Sequence, residues 1–426
     1  MPAVKNVDWD VCKRCEESKE PSDVGIRLAD GELCWAHAFE TFTKEPDGKA
    51  AGAFKAALDR LGTPEASLDA RGVAVTAELL KRMLGAARRE DNKPVLKNAQ
   101  FTRANFHDPH GNKLSFEGVI FEGPTTFRKA IFKEGADFTD AEFRAPVEFI
   151  EAKFEHHASF ANATFKDDAF FAAATFRRLA WFQRAIFEKM AFFNRVTSQA
   201  IGPMVTPGMD PATFQGDVNF QDATFREASF DDVMFEAEVR FNETTFERAC
   251  WNRASFKGYP AVFHHATFEQ ESSFDNSVFA NEADFTGAIF EKWAWFGGTV
   301  FEKGALFDGA DFGERANSEE TYRLHNQKVP SVERIRVPET GFDHAAFQGI
   351  VRFTKATFKN KTTFCGVSFQ GEARFDQVSF HRELVFDRAT FRRSCVLQPH
   401  RRRPAGQLAS GVVCATGHPH RRDRPA

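Results

Sequence analysis

Four residues near the start of the chain, Cys12, Cys15, Cys34 and His37, have the types and spacing of a metal site. They form a C-x-x-C pair and a C-x-x-H pair separated by an 18-residue loop. Three thiolates and one imidazole at this spacing can complete a tetrahedron around Zn²⁺. A module of about 40 residues draws little stability from its own core, so a bound metal would supply folding free energy. We therefore predict a zinc-ribbon-like module with a structural Zn²⁺ ion held by these four residues.

Two other interpretations of these residues are weaker. Three unrelated buried thiols and a surface histidine would give the same pattern by coincidence, which is uncommon within the 26 residues from Cys12 to His37. A catalytic zinc ion needs an open coordination position, and four protein ligands leave none. The expected role of the module is structural or partner-binding.

The sequence lacks the common motifs of catalysis. It contains no G-x-x-x-x-G-K-[ST], no H-E-x-x-H, no G-x-S-x-G and no dinucleotide-binding G-x-G-x-x-G after a strand. The pairs His156–His157 and His264–His265 fall in expected turns, where solvent exposure explains them better than metal binding. We therefore expect no catalytic residues, no small-molecule substrate and no enzymatic activity.

Two helices are predicted after the cysteine-rich segment. Residues 50–61 place Phe54, Leu58 and Leu61 on one face, and Gly62-Thr-Pro ends the pattern. Residues 76–89 form a second amphipathic pattern with Thr76 as the candidate N-cap. An amphipathic helix directly before a repeat array is expected to cover the open end of that array.

Phenylalanine then recurs from Phe101 to Phe391 in alternating steps of five and six residues, usually with a small residue two positions earlier. On a helix, a step of five rotates a side chain by about 140° from the last, so no single seam forms. In one straight strand, the same step would reverse the face of the side chain. The chain must therefore turn between successive Phe residues, with the small residue and the Phe pointing inward from a short strand. The extra residue on alternate sides suggests a bulged corner and a 22-residue coil. Successive steps of five from Phe220 to Phe235 suggest that this alternation slips there.

This pattern resembles the pentapeptide-repeat family, in the branch that has Phe at the central position. The resemblance covers about 260 residues and implies an all-β solenoid, a right-handed quadrilateral β-helix, here with a small N-terminal zinc module and a helical cap. The predicted segments are 1–45 zinc-ribbon-like module, 46–98 helical linker and cap, 99–193 β-helix, 194–212 insert loop, 213–312 β-helix, 313–341 insert with a short helix, 342–396 β-helix and 397–426 disordered basic tail.

Two functional classes are compatible with this architecture. The first is a non-enzymatic scaffold or protein–protein interaction module whose protein partner is unidentified. The second, implied by what some members of the family do, is a DNA mimic that binds a type II topoisomerase such as gyrase. Residues 101–391 carry 32 Lys and Arg against 42 Asp and Glu, but residues 351–391 carry 7 against 4. A mimic should present a continuous acidic stripe, so the scaffold is favoured.

The remaining expectations concern location and assembly. No signal peptide and no apolar run of membrane-spanning length are found, and seven Cys without secretory features indicate a reducing compartment. We therefore expect a cytoplasmic protein without a membrane span. Direct nucleic-acid binding is not expected, because the zinc module lacks a basic patch. The tail from Leu397 lacks Phe, so a homodimer through an uncapped coil end is a further expectation.

Overall fold

A computed structural model describes residues 7–17, 25–29, 31–65, 67–89, 92–201, 212–313, 339–393 and 395–396. The chain divides into two compact units, one formed by Met1–Ser229 with Met234–Ala237 and the other by Phe230–Val233 with Glu238–Ala426. The predicted insert helix within 313–341, the middle of the predicted loop at 194–212 and the predicted disordered tail lie outside the described residues.

The first unit begins with four helices: α1 (Lys13–Glu17), α2 (Trp35–Lys44), α3 (Lys49–Leu61) and α4 (Ala77–Ala86). Helix α3 ends at Gly62 as predicted. Helix α4 begins after Thr76, whose hydroxyl accepts a hydrogen bond from the Leu79 amide at 3.2 Å, so the predicted N-cap is confirmed. Its apolar stripe is buried against the rest of the unit, although the helix ends three residues before the predicted Arg89.

The remainder of this unit is a parallel β-solenoid with four faces. The faces are numbered in the order in which their strands occur along each coil. Face 1 contains Ser67–Asp69, Asn98–Gln100, Thr125–Thr126, Val147–Glu148, Ala169–Phe170, Ala191–Phe192 and Val218–Asn219. Face 2 contains Ala74–Val75, Asn105–Phe106, Ile131–Phe132, Lys153–Phe154, Thr175–Trp181, Thr197–Ile201 and Thr224–Ser229, of which the last three extend towards face 3. Face 3 also contains Leu114–Ser115, Ala136–Asp137 and Ala158–Ser159. Face 4 contains Val95–Leu96, Ile120–Phe121, Glu142–Phe143, Thr164–Phe165, Ile186–Phe187, Thr213–Phe214 and Met234–Phe235.

The second unit is a parallel solenoid of the same kind, with faces numbered in the same way. Face 1 contains Val239–Arg240, Ala261–Val262, Glu282–Asp284, Gly304–Leu306, Ile350–Arg352, Ala373–Arg374 and Cys395–Val396. Face 2 contains Thr245–Cys250, Thr267–Phe268, Ile289–Phe290, Asp311–Phe312, Thr357–Phe358 and Ser379–Phe380. Face 3 contains Ser272–Ser273, Ala294–Trp295, Glu339–Gly341, Lys361–Thr363 and Leu384–Val385. Face 4 contains Ser255–Phe256, Val278–Phe279, Val300–Phe301, Ala346–Phe347, Ser368–Phe369 and Thr390–Phe391.

The register confirms the predicted coil. Phe143 pairs with Phe165, 22 residues later, and both rings point into the solenoid. These two rings stack with centroids 4.8 Å apart and planes 6° apart, which is the ordinary spacing of neighbouring strands. Rings on opposite sides of the core, such as Phe138 and Phe149, meet edge to face at 5.4 Å. The core is therefore a column of Phe side chains, with Trp251 at one ring position, and Phe has no polar group that needs a partner there.

The alternating steps correspond to two kinds of corner. Most steps of five contain a residue in the left-handed region two positions after the Phe, as at Asn162 (φ 57°) and Arg184 (φ 56°), and the steps from Phe225 to Phe230 and from Phe246 to Trp251 are the exceptions. Some steps of six contain a β-bulge, because the amides of Gln215 and Gly216 both donate to the Phe187 carbonyl, at 2.7 and 3.4 Å. The predicted bulged corners are thus confirmed at this position.

Two expectations about the array need correction. The two kinds of corner still alternate after Phe220. Asp222 and Asp232 occupy left-handed turns, and the corner between them, from Phe225 to Phe230, is of the other kind but one residue shorter than usual. The solenoid also begins before Phe101, since Ser67 pairs with Asn98 and Ala74 with Asn105. This first coil was missed because Leu and Val replace Phe in it, and because α4 stands where its third face would be.

Candidate metal centre and partner surface

The donor atoms of the four predicted ligands converge. Nδ1 of His37 lies 3.3 Å from Sγ of Cys12, 3.6 Å from Sγ of Cys15 and 3.5 Å from Sγ of Cys34. The sulfur atoms of Cys15 and Cys34 are 3.9 Å apart, and all four donor atoms lie within 4.8 Å of one another. The three thiols are buried, and the imidazole is half-buried.

These separations fit a tetrahedral zinc site. With Zn–S distances of about 2.3 Å and a Zn–N distance of about 2.05 Å, the edges of a tetrahedron are about 3.8 Å between sulfurs and about 3.6 Å between sulfur and nitrogen. The observed distances of 3.9 Å and of 3.3 to 3.6 Å are close to both values. The geometry also identifies Nδ1 as the histidine donor, which spacing alone does not determine.

The pKa values of these groups show how tightly they interact. Hydrogen bonds from the thiols of Cys15 and Cys34 lower the pKa of Cys12. The hydrogen bond with Cys12 raises the pKa of Cys15. Hydrogen bonds with Cys12 also raise the pKa of Cys34 to about 12 and the pKa of His37 to about 10. One thiolate is therefore favoured among four crowded donors. Metal coordination would require the other groups to lose protons, so binding would release protons and strengthen as the pH rises.

Short local elements position each donor. The Cys12 amide donates to the Gly25 carbonyl at 2.8 Å, next to an antiparallel bridge between Val11 and Ile26. Cys15 lies in α1, and Cys34 is the N-cap residue of α2, whose first turn carries His37. A thiolate at a helix N-terminus is stabilised by the exposed amides and dipole of that helix.

Gly25 closes the site from one side. A β-carbon at this position would lie 3.0 Å from both Cβ and Sγ of Cys34 and 3.4 Å from Sγ of Cys15. A side chain there would have to displace the thiols by a few tenths of an ångström, so glycine allows the backbone to approach them closely. The sequence contains no signal for this role, since Gly25 lies outside the Cys and His motifs.

The module is docked on the first coil of the solenoid. The indole N–H of Trp35 donates to the Asp69 carbonyl at 2.9 Å, and the Ile26 amide donates to the Arg71 carbonyl at 2.8 Å. The Arg71 guanidinium also lies 5.2 Å from the ring centre of Trp9. Sequence reasoning treated Trp35 as a spacer between Cys34 and His37, and so missed its part in this contact.

The two histidine pairs are not part of a metal cluster. His156, His157 and His265 are exposed, His157 stacks on Trp181 at 5.1 Å, and His264 stacks on His265 at 4.2 Å. Among the described residues, the group of Cys12, Cys15, Cys34 and His37 is the one in which three or more His, Cys, Asp or Glu donors could hold a metal ion.

A groove with basic walls lies between α4 and face 3 of the first unit. Its volume is about 860 Å³, and its charged residues are Lys81, Arg88, Lys93 and Lys113 against Glu117 and Asp140. The floor is open, because a β-carbon added at Gly85 or at Gly118 would meet nothing within 4 Å. We call this feature the α4 groove. Its positive balance contrasts with the acidic composition of residues 101–391.

Carboxylates are interleaved with cations along this unit, and Lys113 of the α4 groove lies 2.6 Å from Asp137. Arg144 lies 3.4 Å from Glu122 and 3.0 Å from Glu142, and Lys166 lies 2.6 Å from Glu142. The hydrogen bond from Arg144, with a further contribution from Lys166, lowers the pKa of Glu142 to about 2. The acidic groups at these positions are therefore neutralised by neighbours in the same or the next coil.

Comparisons with known proteins agree with the repeat pattern. A family model described as pentapeptide repeats (9 copies) matches residues 111–153, 149–197, 209–251, 252–300 and 342–395, which together make up more than half of the chain. A search of curated proteins found no match. None of the helices in the described parts of the chain combines the length and apolarity needed to cross a membrane.

Proposed function

The chain belongs to the pentapeptide-repeat family, and on that premise we propose that it is a non-enzymatic scaffold that binds a protein partner. The repeat fold supports this role, because the parallel faces hold outward side chains on a rigid, close-packed core. The Cys12, Cys15, Cys34 and His37 group would hold a structural Zn²⁺ ion, which would fix the fold of the N-terminal module and leave no coordination position for substrate.

The observation that carries this proposal is the α4 groove. Four cationic side chains line it against two carboxylates, and all four cations are exposed to solvent. Lys113 is already paired with Asp137 at 2.6 Å. Lys81, Arg88 and Lys93 therefore carry most of the positive charge offered to a partner. A volume of about 860 Å³ has room for several residues of an extended peptide. Charge complementarity indicates an acidic segment of a partner protein as the occupant.

The test uses a fluorescein-labelled octapeptide rich in Asp and Glu, with fluorescence anisotropy of the full-length protein as the readout. We expect the double variant Lys81→Glu/Lys93→Glu to weaken binding at least tenfold, because it reverses two charges of the groove. The control Lys153→Glu reverses an exposed charge on face 2 of the same unit and should change binding less than twofold. A basic peptide of equal length should not bind. Equal affinities for the two variants, or no binding of the acidic peptide at 1 mM, would show that the proposal is wrong.

A DNA mimic for a type II topoisomerase is the alternative that the family suggests. The interleaved charges around Glu142 do not favour it, because a mimic needs carboxylates that are free to replace phosphates. Inhibition of gyrase supercoiling at micromolar protein would support the mimic and contradict our preference for the scaffold.

Location and assembly are further parts of the proposal. The described cysteines form no disulfide, which agrees with action in a reducing cytoplasm. Phe380, Phe386 and Phe391 are half-buried, unlike Phe358, Phe364 and Phe369 of the preceding coil, and they could form a homodimer contact. Light scattering of the Phe386→Asp variant and of the wild type tests this homodimer, because a dimer formed through these rings should dissociate in the variant.

A further inference from the structure

The first and last coils of a parallel solenoid each have one side on which no other coil lies, and the peptide groups on that side need partners from elsewhere. On face 1 of the first unit, amides of one coil donate to carbonyls of the next coil, as from Ala70 to Gln100 at 2.8 Å and from Gly72 to Thr102 at 2.9 Å. The pairing of Asp69 with Gln100 makes the carbonyls of Asp69 and Arg71 the equivalents of those acceptors in the first coil. Without donors from elsewhere, both carbonyls would form an open sheet edge.

The cysteine-rich module supplies both missing donors. The indole N–H of Trp35 donates to Asp69 at 2.9 Å, and the Ile26 amide donates to Arg71 at 2.8 Å. These lengths match those of the coil-to-coil hydrogen bonds that they replace. The module therefore occupies the place of a preceding coil on this face.

The metal ligands hold both donors in position. Trp35 directly follows Cys34, and its ring packs edge to face on Phe54 of α3 at 6.0 Å. Ile26 directly follows Gly25, which receives the Cys12 amide hydrogen bond and packs against the Cys34 thiol. Each donor is thus one residue away from an atom that touches the four-ligand cluster.

We propose that the module formed around Cys12, Cys15, Cys34 and His37 is the terminal cap of the solenoid, and that metal binding there closes the edge of the first coil. Loss of the metal releases Trp35 and Ile26 together and exposes the carbonyls of Asp69 and Arg71. The exposed edge is parallel and in register, so it can accept an extended strand from a second copy of the chain. This role is independent of the α4 groove and of any partner bound there.

Hydrogen exchange of the full-length protein tests the cap. Trp35→Phe keeps all four ligands and an aromatic ring but removes the indole donor. Loss of one hydrogen bond should speed exchange of the Ala70 and Gly72 amides about fivefold, with zinc content unchanged. Chelation should speed it more, because both donors are lost, and added Zn²⁺ should restore protection.

The controls separate this effect from general destabilisation. Trp181→Phe, on face 3 of the same unit, should leave Ala70 and Gly72 unchanged, and the Phe149 and Phe171 amides should exchange equally in wild type and Trp35→Phe. Light scattering of the chelated protein should show self-association that Zn²⁺ reverses. Unchanged exchange of Ala70 and Gly72 in both Trp35→Phe and chelated protein overturns the proposal. Binding of the acidic peptide reports the scaffold function separately.

Discussion

Phe170 and Phe171 are adjacent in sequence but have opposite environments, which makes them a matched pair for testing the register. Phe171 is fully buried and stacks on Phe149 at 4.8 Å and on Phe193 at 4.7 Å. Phe170 points outward, is half-buried and stacks on Phe192 at 4.9 Å. Replacing each by Ala removes the same atoms from the two sides of one strand.

The structure gives the expected size of each effect. A buried Phe→Ala substitution costs about 3–5 kcal/mol, and two ring stacks place Phe171→Ala in the upper half of that range. Phe170→Ala loses one stack and about half the buried area, or about 2 kcal/mol. A difference of at least about 2 kcal/mol corresponds to about a 30-fold difference in local opening.

Solenoids open locally, so a single melting curve is a poor measure of such costs. Hydrogen exchange with mass spectrometry on peptides covering residues 147–187 reports the affected coils in the full chain. We expect at least tenfold faster exchange there in Phe171→Ala than in Phe170→Ala. A one-residue shift in register would exchange the two environments, so equal or reversed effects would refute the assignment of inward and outward rings.

Three further predictions concern the metal centre and one ion pair. Purified protein should contain one zinc per chain by metal analysis, and Cys12→Ser should lose it. Gly25→Ala keeps every ligand but places a β-carbon 3.0 Å from the Cys34 sulfur. Zinc affinity measured against a chelating dye should therefore fall about 10- to 100-fold. Gly52→Ala, whose added β-carbon would meet nothing within 4 Å, is the control and should leave zinc affinity unchanged. The pKa of Glu142 is lowered to about 2, mainly by Arg144, so this carboxylate stabilises the fold above the unfolded pKa and loses that effect as the pH falls towards 2. Glu142→Gln should therefore be less stable than wild type by up to about 1 kcal/mol at pH 7 in urea unfolding, after allowance for solvent screening, and a difference that persists at pH 2 would contradict this assignment.

Much of the architecture could be predicted because it depends on local spacing. The steps of five and six require corners, and the structure has a left-handed turn at most steps of five and a bulge at some steps of six. Thr76 could be predicted as an N-cap for the same reason, because an N-cap is recognised from its own residue type and the helix that follows. The convergence of Cys12 and His37 was also predictable, since few arrangements other than a metal site explain their spacing.

The remainder depends on contacts between distant segments. Leu68 and Val75 lie inside the first coil, yet neither resembles the Phe pattern and 31 residues separate paired positions such as Ser67 and Asn98. The hydrogen bond from Trp35 to Asp69 joins segments 34 residues apart, and no local pattern specifies it. The α4 groove likewise arises from the packing of a helix beside strands that the sequence does not place together.

The bulged corners have a consequence for how the chain can change its length. Among the described Phe-to-Phe steps, those with a left-handed residue two positions after the first ring are five residues long. The other corners range from the five residues between Phe225 and Phe230 to the seven between Phe256 and Phe263 and the ten between Phe106 and Phe116. Residues gained or lost at these corners leave the inward rings in place. An epitope or a reporter peptide grafted after Phe256 should therefore be tolerated, whereas the same graft at the turn after Phe160 should disrupt the stack.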